Sequence, residues 1–157
     1  GDLILAAKQS DKCLGFQGGA AARDQVAAGS ATLAIVYSGD AFKAMAAEGG
    51  ENLGYAIPKE GGEWWIDAMV IPAQAPDLDL AYAFINYILD PQIGGQLAEW
   101  NQYGTPNQAA LQYLQPETRA NAAIYPPDEV MAKLEPLRDI GEARQLYDEV
   151  WTAIKAR

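Results

Sequence analysis

The stretch Gly62-Glu-Trp-Trp-Ile-Asp-Ala-Met-Val-Ile-Pro72 decides how the chain is read. From Glu63 to Ile71, a strand would set Trp64, Ile66, Ala68 and Val70 on one face and Trp65, Asp67, Met69 and Ile71 on the other. Both faces are apolar except at Asp67. A strand apolar on both sides belongs in the middle of a covered sheet, as in α/β folds. The expectation is a central strand with one interior carboxylate that needs a partner.

Upstream, Thr32-Leu-Ala-Ile-Val-Tyr37 is a short apolar run bounded by Gly29-Ser30 and Ser38-Gly39, which predicts a buried strand. A helix should follow, capped by Ser38 or Asp40, with Phe42, Met45 and Ala46 on one face and Gly49-Gly50 as the stop. Leu53 to Ile57 reads as a second strand, closed by Pro58 and the turn Lys59-Glu-Gly-Gly62. Nearer the N-terminus, Asp2 to Lys8 suits one or two helical turns before Gly15-Phe-Gln-Gly-Gly19 breaks the periodicity. Downstream, Pro76 and Asp77 start an amphipathic helix whose stripe is Ala81, Phe84, Ile85, Ile88 and Leu89, ended by Asp90-Pro91. A shorter helix carries Ile93, Leu97 and Trp100 into the loop Asn101 to Asn107. Helical pieces are expected over Gln108 to Leu114, Glu117 to Asn121 and Asp128 to Leu134. Asp139 and Glu142 suggest a capping box for a last helix striped by Ala143, Tyr147, Val150, Trp151 and Ile154.

A chain of 157 residues is expected to form one domain. Its formal charge of −10 disfavours nucleic acid and anionic lipid and suits a cationic ligand. The absence of histidine removes Ser-His-Asp and Cys-His catalysis and histidine-containing zinc sites. Cys13 has no cysteine to pair with. The longest apolar stretches, such as Ala31 to Tyr37 and Ala68 to Ala73, fall far short of the roughly 20 residues that span a bilayer, so a soluble chain is expected. No basic segment followed by an apolar one marks a secretory signal, as would hold for a mature or trimmed product. The Gly-Gly pairs at 18, 49, 61 and 94 fit no phosphate-binding frame and read as turns; no cofactor is implied. Asp128-Glu129 and Asp148-Glu149 read as solvated helix surface rather than acid–base pairs.

What remains is aromatic and acidic. Trp65 and Asp67 lie two apart on one strand face, and Tyr37 ends another strand at the expected rim of the sheet. A carboxylate offers an alkylammonium group a hydrogen bond of roughly 1.5–3 kcal/mol, and an aromatic face adds about 0.5–2 kcal/mol while covering methylenes. The residues alone leave open a second reading, in which Trp64 and Trp65 are core and Asp67 bonds nearby main-chain amides.

Several blocks are familiar. Leu33-Ala-Ile-Val-Tyr-Ser-Gly-Asp40, Ile57-Pro-Lys-Glu-Gly-Gly62 with Trp65-Ile-Asp67 and Ile71-Pro-Ala73, Phe84-Ile-Asn-Tyr-Ile-Leu-Asp-Pro91, Tyr103-Gly-Thr-Pro-Asn107 and Ile124-Tyr-Pro-Pro127 resemble, in this order, the C-terminal part of the spermidine/putrescine-binding proteins of ABC transporters. The resemblance implies an α/β fold of the type II periplasmic-binding-protein kind, noncatalytic, closing around a polyamine by hinge motion. It implies Trp65 as an aromatic wall, Asp67 as the carboxylate gripping an amine, Tyr37 in place of the family's frequent tryptophan, and Tyr103 as a lining residue. A family glutamine would fall close to Leu137, where no polar group stands. Implied partners are the transporter's membrane subunits, and the implied place is periplasmic or extracytoplasmic, free or lipid-anchored.

Family members are about twice as long, and the resemblance leaves out an N-terminal portion that supplies the opposing wall. By the same likeness, residues 1–65 and 111–157 belong to the second lobe and 66–110 cross the hinge into the first. The chain then reads as a fragment, a truncated paralogue or one part of a split assembly completed by the missing lobe or a second copy. The competing expectation is an interaction half-module without independent ligand binding.

Overall fold

The computed structural model describes residues 1–156 as a mainly helical α/β arrangement. The helices are α1 (Asp2–Lys8), α2 (Gly19–Ala27), α3 (Ser38–Ala46), α4 (Leu78–Leu89), α5 (Pro91–Asn101), α6 (Pro116–Ala120), α7 (Asp128–Met131) and α8 (Ala143–Ala156). Short 3-10 turns occupy Gly50–Asn52 and Gln108–Tyr113. Strands β1 (Gly62–Trp64) and β2 (Leu134–Pro136) pair in parallel, with Glu63 opposite Glu135.

The helix signals hold where capping chemistry is local. The Asp77 carboxylate accepts from the Leu80 amide at 2.8 Å, and Asp90 accepts from Gln92 and Ile93 at 2.9 and 3.1 Å, with Pro91 opening α5. Asp139 differs from expectation: its carboxylate accepts from Gly141 and closes a turn before α8 rather than a capping box. At the start of α3, neither Ser38 nor Asp40 caps; Tyr37 holds the N-cap position without a side-chain bond. Lys8 donates to the last carbonyls of α8, Ile154 and Lys155, at 3.0 and 2.8 Å, and Phe16 packs at a tilt of 55° against Trp151, ring centroids 4.7 Å apart. The two ends of the chain are thereby tied together.

The strands depart most from expectation. Thr32 to Tyr37 and Leu53 to Ile57 form no strand, and Leu33 and Ile35 are 86% and 97% exposed. The run from Glu63 to Ile71 is strand only as far as Trp64, and Ile66, Met69 and Val70 are exposed. The physical reason is shared: an apolar run becomes a buried strand only when neighbours pair its amides and cover its faces, and the described residues supply one such partner. That partner, β2, lies in a segment whose first part was expected to be helical; α7 ends at Met131 and Leu134–Pro136 runs beside β1 instead. Gly61 (φ 111°) makes the approach possible, because a side chain there would strike the Lys133 carbonyl.

The tightest packing joins α5 to the 108–113 turn. Gly94 and Gly95, read from sequence as a turn signal, lie inside α5; a Cβ on Gly95 would sit 2.8 Å from Cβ of Tyr113. Their lack of side chains lets the turn settle on the helix and buries Ala98, Ala110 and Leu114. The rest of the core is small: Ala41, Phe42 and Ile154. The chain exposes 12113 Å², against about 7,700 Å² for a folded monomer of its mass. Leu80, Tyr82, Phe84 and Tyr87 of α4 are all more than half exposed.

Burial raises the phenols of Tyr55 and Tyr125, the latter also through the charge of Glu99 and against a lowering bond from the Thr105 amide. A raised folded-state pKa means that the folded chain holds these protons more tightly than the unfolded chain. Their contribution to stability is full below the ordinary phenol value, 10.0, and is lost as pH rises through the raised values. Denaturant midpoints should fall from pH 9 to 11, and the fall should be smaller in Tyr55→Phe. A pH-independent midpoint over that range would contradict the burial of both rings.

Candidate functional site

The aromatic groups singled out in the sequence meet around the start of α3. Tyr37, at the N-cap, and Trp65, just past β1, stand edge to face with ring centroids 5.2 Å apart and planes at 66°. Both keep exposed surface, 50% for Tyr37 and 36% for Trp65, so this is not a sealed core pair. Trp65 takes its position from β1, where the Trp64 carbonyl accepts from the Leu137 amide at 2.9 Å. Leu137, the departure noted above, therefore lies next to the site, with its side chain exposed.

Tyr103 arrives from the loop after α5. Its ring packs on Gly39, where even a methyl group would overlap three of its carbons. The loop is held by bonds outside the site. The Thr105 amide donates to the Tyr125 hydroxyl at 3.2 Å, and Asn107 donates to the Leu89 carbonyl at 2.9 Å while accepting from the Ala109 amide at 3.1 Å. Two blocks far apart in sequence, Tyr103 to Asn107 and Ile124 to Pro127, thus act as one support.

The Tyr103 phenol is raised first by burial, then by the charge of Asp40, with smaller contributions from Tyr37 and Asp67; the Asp40 main-chain amide opposes them. Tyr37, Asp40 and Asp67 therefore each lie within electrostatic reach of the Tyr103 phenol. Asp67 is not an interior strand residue. It is exposed, in a segment without regular structure, and among the described residues no donor bonds its carboxylate. Trp65 and Asp67 consequently share no strand face.

Asp40 is the residue that sequence reasoning missed as a site group. The sequence pattern marks it only as a helix cap, yet its carboxylate faces Gly19 of α2 and Arg23, whose guanidinium stands 3.7 Å away. The available signal was its position three residues after Tyr37, which on the first turn of a helix brings both to one side. Among the described residues no group of three or more Cys, Asp or Glu residues is placed to hold a metal, and no helix is long and apolar enough to cross a membrane.

Comparison with known proteins gives the class. The family model of the bacterial extracellular solute-binding proteins matches residues 4–126, and the chain belongs to that family. Among its relatives, it is 37% identical over 128 residues to the spermidine/putrescine-binding periplasmic protein of Salmonella typhimurium, covering 82% of this chain and 36% of that protein. It is 37% identical over 134 residues to the putrescine/cadaverine-binding protein of Pseudomonas aeruginosa, covering 82% of this chain and 38% of that one. A crystal structure of the spermidine/putrescine ABC transporter substrate-binding protein PotD from Streptococcus pneumoniae, in complex with calcium and HEPES, superposes with a TM-score of 0.69 at 32% identity, over 85% of this chain and 41% of that one. The expected periplasmic-binding-protein fold is borne out, and the chain spans little more than a third of the length of the curated relatives it matches.

Replacing Gly39 by Ala should push the Tyr103 ring away, at a cost of about 1–3 kcal/mol in stability. It should also bring the Tyr103 phenol back toward its ordinary value. Tyrosinate absorbance, compared with a Tyr103→Phe reference, reads this directly; an unaltered titration would mean that the ring does not lie on Gly39.

Proposed function

We propose that this chain forms one wall of an extracytoplasmic polyamine receptor that delivers its ligand to an ABC transporter. The observation that carries the reading is the edge-to-face pair of Tyr37 and Trp65 beside Tyr103, whose phenol feels the charges of both Asp40 and Asp67, in a strongly acidic chain. In this reading Asp67 accepts hydrogen bonds from a protonated amine, Trp65 and Tyr37 cover the neighbouring methylenes, and Tyr103 lines the floor. Asp40 adds negative charge beside it. The relatives' printed names, spermidine/putrescine-binding and putrescine/cadaverine-binding, support linear amines as the ligand class. The chemistry is binding and release, with no catalytic step and no cofactor.

The parallel pairing of β1 with β2 supports placing residues 1–65 and 111–157 in one lobe, with 66–110 crossing a hinge. The opposing wall, from the first lobe, would come from polypeptide outside this sequence, and the membrane subunits would dock on the closed receptor. The place of action is the periplasm or the outer face of the membrane. A wall facing open water encloses little of its ligand, so binding by this chain alone is weak.

Putrescine added at millimolar concentration should change the Trp65 fluorescence saturably, and Asp67→Asn should weaken the response about tenfold or more, as expected when a charge-assisted bond is lost. A chain that shows no saturable response to putrescine or spermidine would sink the receptor reading.

The bare apolar surface of α4 and of the 32–37 segment favours a second reading, an interaction half-module that self-associates or is completed by another chain. On that reading light scattering gives a mass above 16.9 kDa that grows with concentration, and Phe84→Glu with Tyr87→Glu returns it to the monomer value. A strict monomer at all concentrations counts against it.

A further inference from the structure

The amine site reading leaves one charged residue beside the carboxylates unexplained. Arg23 lies on α2 one turn after Gly19, the residue whose Cα faces both the Tyr37 ring and the Asp40 carboxylate. Its guanidinium is shared unequally. Nε and Nη2 bond Asp24 at 2.8 and 2.7 Å, while Nη1 stands 3.7 Å from Oδ1 of Asp40, inside ion-pair range but beyond a hydrogen bond. Arg23 and Asp40 are each 26% exposed, whereas Asp24 is 66% exposed.

We infer that Arg23 is a resident cation that competes with an incoming ammonium group for Asp40 and so sets how tightly the site holds its amine. This rests on the functional reading above and concerns the same site. Three features of the geometry carry it. The distance to Asp40 leaves that carboxylate's lone pairs unfilled, so it still accepts hydrogen bonds. The positive charge nevertheless lowers the attraction Asp40 exerts on a second cation, because like charges a few ångströms apart repel strongly at a partly buried site. The bonds to Asp24 hold the guanidinium back from full contact, so Asp24 is a positioning residue that keeps Asp40 available. The consequence is a graded grip: Asp67, without a resident cation, holds an ammonium fully, while Asp40 holds one only in part.

The test is a cycle of variants read by putrescine titration of Trp65 fluorescence, with circular dichroism to confirm equal folding. Arg23→Gln should tighten binding about two- to fivefold, the range that removal of one partly exposed ion pair gives. Arg119→Gln, the same charge change on α6, should not. In an Asp40→Asn background, Arg23→Gln should have no effect, because the carboxylate it competes for is gone. Asp24→Asn should weaken binding when Arg23 is present and less so in Arg23→Gln, since it frees the guanidinium to close on Asp40. Equal affinity of the wild-type and Arg23→Gln chains, or a gain that persists in Asp40→Asn, would overturn this role for Arg23 while leaving the receptor reading intact. If neither chain responds to putrescine, the receptor reading and this inference fall together.

Discussion

Much of the ordered structure depends on how closely α5 can approach the 108–113 turn. Gly94 and Gly95 present bare backbone to Ala110 and Tyr113, and only that allows Ala110 to be fully buried in a chain with so small a core. The approach sets the start of the turn at Asn107, which bonds back to the end of α4 through Leu89. The loop between α5 and Asn107 is then held at both ends, and Tyr103 is carried over Gly39 at the start of α3. A packing contact between glycines and small residues therefore decides where the Tyr103 ring stands.

The electrostatics of that cluster follow from its surroundings as much as from its members. Asp40 lies near Tyr103 and Arg23, and the phenol responds to its charge. Asp67 is exposed, and its charge reaches the Tyr103 phenol. A carboxylate left partly hydrated loses little free energy while the site is empty, and it gains most when a cation and an apolar wall arrive together. The overall charge of −10 extends the same preference over the whole surface.

Exposure elsewhere tells the complementary story. The accessible surface exceeds what a folded chain of this mass shows, and the excess lies on runs whose composition is that of interior strands and helices. The family relationship gives this a physical setting, since the matched relatives are nearly three times as long as the aligned part.

Helix positions and ends were legible in the sequence wherever local chemistry fixes them: Asp77 and Asp90 as caps, Pro91 at a first turn, the stripes of α4 and α8. The aromatic and acidic character of the site was equally legible, because Trp65, Asp67 and Tyr37 announce it by residue type and family blocks. Strand pairing was not, since Thr32 to Tyr37 and Ile66 to Ile71 become strands only if other segments supply hydrogen-bond partners, a non-local condition that no pattern within them records. Nor could sequence separation show that β1 meets β2 across some seventy residues, that the Gly94-Gly95 pair is a packing surface rather than a turn, or that Arg23 stands 3.7 Å from Asp40. Composition determined a strongly acidic chain carrying aromatic residues; three-dimensional contact alone decided which of these groups stand together, because charges interact through distance and not through order along the chain.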